Sequence, residues 1–351
     1  MMPHYKNIHN RFKINGFHLD KEALFQLAYS YIKEGVQFEK EFGEFLLDWI
    51  DNKDTIELMT SGTTGIPKLI TLQKQAMVNS AIATADFFNL RPGDKVLHCL
   101  PTRYIAGKMM FVRSIIVGLE MDLIAPTSHL DDLLPSKKYD FVALVPIQAQ
   151  AGLDKLNQFK KIIIGGAKLT DTLAHQLKSC NAEIYETYGM TETITHIAAK
   201  RIGAEYFETL PNVSISKDER GCLVIHAPNI VASTIVTNDL VEISSEHKFK
   251  WLGRFDNVIN SGGIKYFPEQ IEAKLALKIN QRFFIAGLPD DNLGQKIALF
   301  IEGEEFPLEA NIFNELEKFE RPKEIHFILH FIETNNKLKR FEMVENQINP
   351  L

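Results

Sequence analysis

Cysteine is scarce in this chain: three in 351 residues, Cys99, Cys180 and Cys222, far apart and forming no C-x-x-C pair. That scarcity argues against a disulfide framework or a cysteine-based zinc site and points to a reducing compartment. No apolar run reaches the roughly 18 residues that a spanning helix requires. The opening residues, Met1-Met2-Pro3-His4-Tyr5-Lys6, lead into polar sequence without the apolar stretch of a secretory signal. A cytoplasmic protein with no membrane insertion is therefore expected. Positive charge is not massed anywhere: the lysines are spread along the chain and the net charge is −6. An electrostatic footprint for DNA or RNA is thus missing. There is also no internal repeat and no low-complexity segment. What remains is the composition of a globular protein, 45% apolar and 24% charged. The length suffices for two or more domains.

Periodicity supplies the elements. Leu24, Phe25, Leu27, Ala28, Tyr31 and Ile32 fall on one helical stripe. Phe42, Phe45, Leu46 and Trp49 predict a second short helix, and residues 74–90 a third, closed by Asn89 and the turn signal Arg91-Pro92-Gly93-Asp94. Short apolar runs at 95–100, 121–125, 141–145, 161–164 and 183–186 alternate with helical stretches or loops. That alternation predicts an α/β domain with a largely parallel sheet. From Leu210 the texture changes, and strands at 213–216, 221–226, 231–237 and 240–244 predict a β-rich subdomain. After Asp256 comes a small α+β unit. Its expected parts are a helix at 268–278, strands near 282–286 and 296–301, a helix at 308–318 and a strand at 324–331.

The chemistry concentrates in three segments. Thr60-Ser61-Gly62-Thr63-Thr64-Gly65-Ile66-Pro67-Lys68 follows the short run Ile56-Glu57-Leu58-Met59. It packs hydroxyls, glycines and a lysine into nine residues, as a loop that cradles an anion would. It does not fit the common phosphate loop G-x-x-x-x-G-K-[ST], and alone it also reads as a Gly/Thr-rich surface turn. The second segment is Tyr185-Glu186-Thr187-Tyr188-Gly189-Met190-Thr191-Glu192-Thr193. The third runs from Trp251-Leu252-Gly253-Arg254-Phe255-Asp256 to Ser261-Gly262-Gly263-Ile264-Lys265-Tyr266-Phe267-Pro268. In this order and spacing the three resemble the adenylate-forming superfamily of acyl-CoA synthetases, luciferases and carrier-loading adenylation domains. The resemblance runs from about Asp54 to Arg340.

That resemblance implies a two-step reaction. A carboxylate attacks the α-phosphate of ATP to give an acyl-adenylate and pyrophosphate; the thiol of coenzyme A, or of a carrier-borne pantetheine, then displaces AMP. Thr60, Ser61, Gly62, Thr63, Thr64, Gly65 and Lys68 match the loop that wraps the β- and γ-phosphates, where preorganised donors stabilise charge. Glu192 matches the carboxylate beside Mg²⁺, the hard cation that phosphoryl oxygens call for, and Thr191 a residue at the α-phosphate. A helix N-cap is the plainer role for Thr191. Tyr188 and Gly189, with Gly165-Gly166-Ala167 opposite, match the adenine slot. Asp239 matches the ribose carboxylate, with Asn238 where the family has glycine; asparagine also tolerates left-handed backbone. Arg254 matches a second nucleotide contact, and Asp256 a hinge between a large domain, 1–255, and a small one, 256–351. Gly262 and Gly263 match the pantetheine tunnel. Lys337, in Thr334-Asn335-Asn336-Lys337-Leu338-Lys339-Arg340, matches the adenylation lysine, with Lys339 the alternative. A homodimer is implied by the family alone.

Two features bear on the acid. Only about 55 residues precede the phosphate loop, so one N-terminal subdomain of the family is reduced or missing. The segment that holds the acid in the family carries Arg103, Tyr104, Gly107, Lys108 and Arg113, three cations where a fatty acid would need an apolar tunnel. Arginine reads carboxylates in a bidentate fork, which suits a small-molecule acid with a second carboxylate. The compact, charged form is most similar to the o-succinylbenzoate–CoA ligases of menaquinone biosynthesis. An aryl-acid CoA ligase, a carrier-loading enzyme and a non-catalytic nucleotide-binding module stay open as alternatives.

Overall fold

Residues 3–60, 68–309, 311–334 and 337–348 are described in a computed structural model, with backbone alone for Thr60, Lys68, Thr334, Lys337 and Ile348. The five apolar runs form parallel strands Lys95–His98, Glu120–Leu123, Tyr139–Leu144, Phe159–Ile164 and Glu183–Gly189. They read as continuous apolar stretches because both faces are covered. Phe141, Ala143 and Ile163 feed one core, while Val142, Leu144, Ile162 and Ile164 feed the other. Strand Lys95–His98 lies between Glu120–Leu123 and Tyr139–Leu144. The winding therefore reverses there, which makes the ends of these strands the switch point of the sheet, where ligands bind in open α/β folds.

Helices α1 (Lys21–Glu34) and α2 (Gln37–Ile50) follow the predicted stripes. The Asp20 carboxylate caps α1 by accepting from the Ala23 amide at 2.9 Å. Phe25 lies outside the stripe and is half exposed. Helix α3 (Lys74–Phe88) ends at Asn89, whose φ of 52° is left-handed, as the turn signal predicted. Phe111 of α4 (Ile105–Val117) receives Phe42, Phe45 and Trp49 of α2 edge-on, with ring centroids 5.7, 5.6 and 6.4 Å away. A small hairpin, Lys13–Ile14 with Phe17–His18, extends the sheet, Lys13 and Ile14 pairing in parallel with Glu120 and Met121. The short N-terminal stretch thus adds to the edge of the sheet and covers α4. Two shorter helices, α5 (Pro146–Ala151) and α6 (Asp171–Leu177), follow later strands.

Past Gly189 the same sheet continues in antiparallel fashion to a total of 13 strands. The expected strands 231–237 and 240–244 are one, Ile235–Ser245, with a register shift between Leu240 and Val241. Asn238 sits inside that strand without a positive φ. It therefore replaces the family's glycine in extended backbone, and left-handed tolerance is not what admits it. The large sheet includes the strand that ends at Arg254. A second sheet begins at Ile259 and comprises Ile259–Ser261, Ile264–Tyr266, Phe283–Asp290, Gly294–Glu302 and Glu324–Ile328. Helix α7 (Pro268–Leu275) packs on it, and α8 (Arg340–Ile348) comes last.

The helix expected at 308–318 is not formed among the described residues. Ile312 and Leu316 are buried at the predicted spacing. The amides of Ile312, Asn314 and Leu316, however, bond the carbonyls three residues back, at 3.1, 3.0 and 3.1 Å. Successive turns satisfy the same apolar spacing, and Asn311 and Asn314 favour turns over helix.

Candidate active site

A cavity of about 570 Å³ opens at the carboxyl ends of the parallel strands. Leu100 contributes from beyond the first strand, Val145 from beyond the third, Gly165 from beyond the fourth, and Thr187 to Gly189 from the end of the fifth. The cavity therefore spans the switch point. A second cavity of about 730 Å³ shares Gly166, Thr187, Tyr188, Gly189 and Asp239 with it and continues past Ala167 and Trp251 to α7.

The shared wall is tightly built. Thr187 donates its hydroxyl to the Ile164 carbonyl at 3.1 Å, and a Cβ on Gly165 would stand 2.3 Å from that hydroxyl oxygen. Only glycine fits there. Tyr188 donates to Asp239 Oδ2 at 2.5 Å; burial, then the neighbouring Asp239 charge, raise its phenol far above the usual range, so it remains a neutral donor. Asp239 is buried and stands opposite Arg254 in the antiparallel register. Arg254 Nη1 lies 3.5 Å from Asp239 Oδ1, and its Nη2 lies 3.6 Å from Asp256 Oδ2. Asn238 donates to Asp256 at 3.3 Å and accepts from Arg220 at 2.9 Å. Here the departure from glycine adds a bridge between Arg220 and the residue expected to be the hinge.

Thr191 and Glu192 line the first cavity from a tight turn. Thr191 opens a three-residue 3₁₀ turn, Thr191–Thr193, and strand His196–Arg201 follows, so the N-cap role considered for it has no helix to cap. The buried Thr193 hydroxyl accepts from the Met190 amide at 3.0 Å and sits 2.8 Å from the Thr195 carbonyl. Ile194 takes φ 66°, a costly conformation for a β-branched residue. These buried contacts hold it and push Glu192 to the exposed rim of the cavity. Among the described residues no three His, Cys, Asp or Glu side chains cluster as a metal cage. The Glu192 carboxylate at the rim of the cavity fits Mg²⁺, which takes one or two carboxylates and completes its shell with phosphates and water.

The same cavity is lined by Arg113, 1% exposed. Its Nη2 lies 3.5 Å from Thr195 Oγ1, and its Nε has no hydrogen-bond partner. Among the described residues no carboxylate pairs with it, and burial pushes its pKa down to about 9. His196, also lining the cavity, is held well below the usual histidine range by burial and then by the Arg113 charge, and is neutral. The other expected acid contacts lie elsewhere. Arg103 is on the surface, 3.8 Å from Glu41 and stacked on the exposed ring of Tyr104. Lys108 points at α2, its ammonium 4.3 Å from the centre of the Phe45 ring and near Asp48 and Glu44. Gly107 offers its carbonyl oxygen to His98 at 3.0 Å. Ile105 and Ala106 line the cavity in their stead.

Residues 21–219, more than half of the chain, match the family model described as AMP-binding enzyme. The chain belongs to the AMP-binding enzyme family. It is 25% identical over 315 residues to a 2-succinylbenzoate–CoA ligase from Oceanobacillus iheyensis, covering 77% of this chain and 65% of that one. It is 27% identical over 329 residues to the Staphylococcus aureus (strain MSSA476) protein of the same name, covering 82% and 66%. The chain thus spans about two thirds of the length of the curated relatives it matches. An acyl-CoA synthetase (AMP-forming)/AMP-acid ligase II-like protein from Dyadobacter fermentans is similar in extent, with 34% identity, 92% of this chain and 98% of that one covered, and a TM-score of 0.63. The o-succinylbenzoate CoA synthetase of Bacillus subtilis, solved with an acyl-adenylate intermediate, shares the fold at 21% identity and a TM-score of 0.71, over 84% of this chain and 69% of that one.

Several residues expected to act in an AMP-binding enzyme stand apart from both cavities or outside the described residues. Ser61, Gly62, Thr63, Thr64 and Gly65 lie outside them, as do the side chains of Thr60 and Lys68. The flanking strands, Thr55–Thr60 and Lys68–Gln73, pair antiparallel from Thr55 with Gln73 to Thr60 with Lys68, and Ile70 lines the first cavity. Lys337 is placed by its backbone in a second hairpin, opposite Thr334. Arg340 anchors the base of that hairpin through a two-pronged pair to Glu272, at 2.7 and 3.0 Å. Asp256 lies in the 3₁₀ turn Phe255–Asn257. Gly262 and Gly263 form a two-residue hairpin turn with φ of 59° and 79°, the geometry that demands positive φ at both positions; neither lines either cavity. Thr195 and His196 reach the first cavity although no spacing in the sequence marks them.

Proposed function

We propose that this chain is an AMP-forming acid–CoA ligase that activates o-succinylbenzoate through an acyl-adenylate, a step of menaquinone biosynthesis. Arg113 carries this reading. A guanidinium taken out of water without a carboxylate partner is costly, and a ligand carboxylate supplies the missing partner. It stands in the same cavity as Thr191 and Glu192, so an acid bound to it by one carboxylate can direct a second toward a nucleotide. The names of the relatives agree with that acid.

The nucleotide end follows from the shared wall. Tyr188 and Gly189 with Gly165, Gly166 and Ala167 form a flat slot for adenine. Asp239, already holding the Tyr188 hydroxyl, has an acceptor oxygen for ribose, and Arg254 steadies it. The loop from Thr60 to Gly65, with Lys68, takes the β- and γ-phosphates, and Thr191 the α-phosphate. Glu192 would hold Mg²⁺, which neutralises phosphate oxygens as the carboxylate approaches. Lys337 serves the adenylation state. Rotation of residues 256–351 about Asp256 then brings Gly262 and Gly263 to the site for the pantetheine arm of coenzyme A. Three free cysteines, two of them buried, suit the cytoplasm, and no helix among the described residues is long and apolar enough to cross a membrane. A homodimer rests on the family resemblance alone.

An AMP-release assay with ATP, Mg²⁺ and coenzyme A tests the reading against o-succinylbenzoate, benzoate, a medium-chain fatty acid and acetate. Turnover with o-succinylbenzoate alone is expected. Turnover with benzoate instead keeps the ligase chemistry and removes the second carboxylate. Silence across the panel, with pyrophosphate exchange also absent, overturns the proposal.

A further inference from the structure

Arg113 ends a line of polar groups that neither half of the proposed reaction uses, two of which, Thr195 and His196, line the same cavity. Arg113 Nη2 lies 3.5 Å from Thr195 Oγ1, Thr195 Oγ1 lies 3.3 Å from His196 Nδ1, and His196 Nε2 lies 3.4 Å from Thr84 Oγ1. Thr84 Oγ1 in turn lies 3.0 Å from the Ser80 carbonyl oxygen. Thr84, His196 and Arg113 are all buried. Both ends of the line settle the direction of its protons. A guanidinium can only donate and a carbonyl can only accept. Thr195 therefore accepts from Arg113 and gives its one proton to Nδ1, the ring carries its proton on Nε2, and Thr84 accepts that proton while donating to Ser80. The neutral state of the ring, kept by burial and then by the Arg113 charge, makes Nδ1 an acceptor, and with it each group has one arrangement.

The line has a mechanical consequence for Arg113. Its stem rises from α4, and one arm of its fork is tied through three side chains, Thr195, His196 and Thr84, to the backbone of α3. Nε is buried without a hydrogen-bond partner. We infer that Thr195, His196 and Thr84 form a positioning relay that orients the Arg113 fork toward the non-reacting carboxylate and so sets the preference for a dicarboxylic acid. This inference rests on the reading of Arg113 given under Proposed function. His196 is a positioning residue here and takes no part in either bond-making step.

The test compares o-succinylbenzoate with its analogue capped as a methyl ester at the non-reacting carboxylate. The readout is the ratio of their kcat/KM values. His196→Phe keeps a ring in the space and deletes both ring hydrogen bonds. The ratio should fall about tenfold, the worth of one orienting hydrogen bond to a charged group. The loss should appear in KM for the acid, with KM for ATP unmoved. His196→Gln, which retains one donor and one acceptor, should restore most of it. Thr195→Val breaks the same line without touching the ring and should reproduce the fall, which keeps the test alive should His196→Phe not fold. A merely structural histidine would lower Tm and raise KM for ATP while leaving the ratio alone, and that result overturns the relay. Arg113→Met separates the two levels of inference. If it collapses the ratio while His196→Phe and Thr195→Val do not, the relay falls and the Arg113 reading stands. If it leaves the ratio intact, the Arg113 reading falls and the relay with it.

Discussion

Arg113→Met should make the ligand-free protein more stable while removing its response to the dicarboxylic acid. Methionine keeps an unbranched chain of similar reach and deletes a buried charge. Burial lowers the Arg113 pKa from the ordinary arginine range to about 9. At about 1.36 kcal/mol per pH unit, the charged form carries a penalty of roughly 5 kcal/mol. The bond to Thr195 offsets about 1 kcal/mol, and water entering the cavity offsets more. A net gain of about 2 kcal/mol for the variant follows, or roughly 4–8 °C in Tm for a domain of this size. Thermal melts with and without o-succinylbenzoate provide the assay: the acid should raise Tm of the wild type and leave the variant unmoved. A variant less stable than wild type, or one whose Tm still responds to the acid, would refute the reasoning.

Lys337→Ala should slow adenylation by about 10²–10³, the size of one lost charge-stabilising donor, and leave thioester formation from preformed acyl-adenylate nearly unchanged; equal losses in both halves would remove Lys337 from that role. Arg340→Met should destabilise the C-terminal unit by about 3–5 kcal/mol, because it strands the Glu272 carboxylate, which is 11% exposed. Hydrogen exchange at α7 and α8 should then speed up before exchange in the large sheet, and uniform exchange would count against it. Of the thiols, Cys180 is half-buried, while Cys99 is fully buried with its thiol pushed up to about 12. Iodoacetamide at pH 8 should therefore modify Cys180 first in the native protein, as read by peptide mass spectrometry, and early labelling of Cys99 would contradict its burial.

Much of the fold is local and so is legible in the sequence. The five parallel strands announce themselves as short apolar runs because both of their faces are buried, and α1 to α3 announce themselves by a period that survives any packing. The turn from Tyr188 to Glu192 is legible for the same reason: its chemistry sits on consecutive residues, and the strand end alone aims them at the cavity. Where periodicity and packing part company, sequence falls short. Ile312 and Leu316 keep helical spacing in a run of turns, since burial rewards where a side chain lands and not how the backbone brings it there. Asn238 stands where a turn was expected, yet ladder bonds on both sides draw it into a strand.

The acid end belongs wholly to tertiary structure. Arg103, Lys108 and Arg113 lie within eleven residues, and nothing along the chain ranks them. The packing of α4 against α2 turns Lys108 onto Phe45, leaves Arg103 in solvent beside Glu41, and buries Arg113 in the cavity. Thr84, Thr195 and His196 meet behind it only because α3 and the strand after Glu192 are brought together across about 110 residues. By itself the sequence determined most of the elements, the family and the residues that stand at their own strand ends. Which cation is buried in the cavity, and which groups it meets there, was decided by helix and sheet packing, because burial and direction are properties of surroundings that one-dimensional order does not contain.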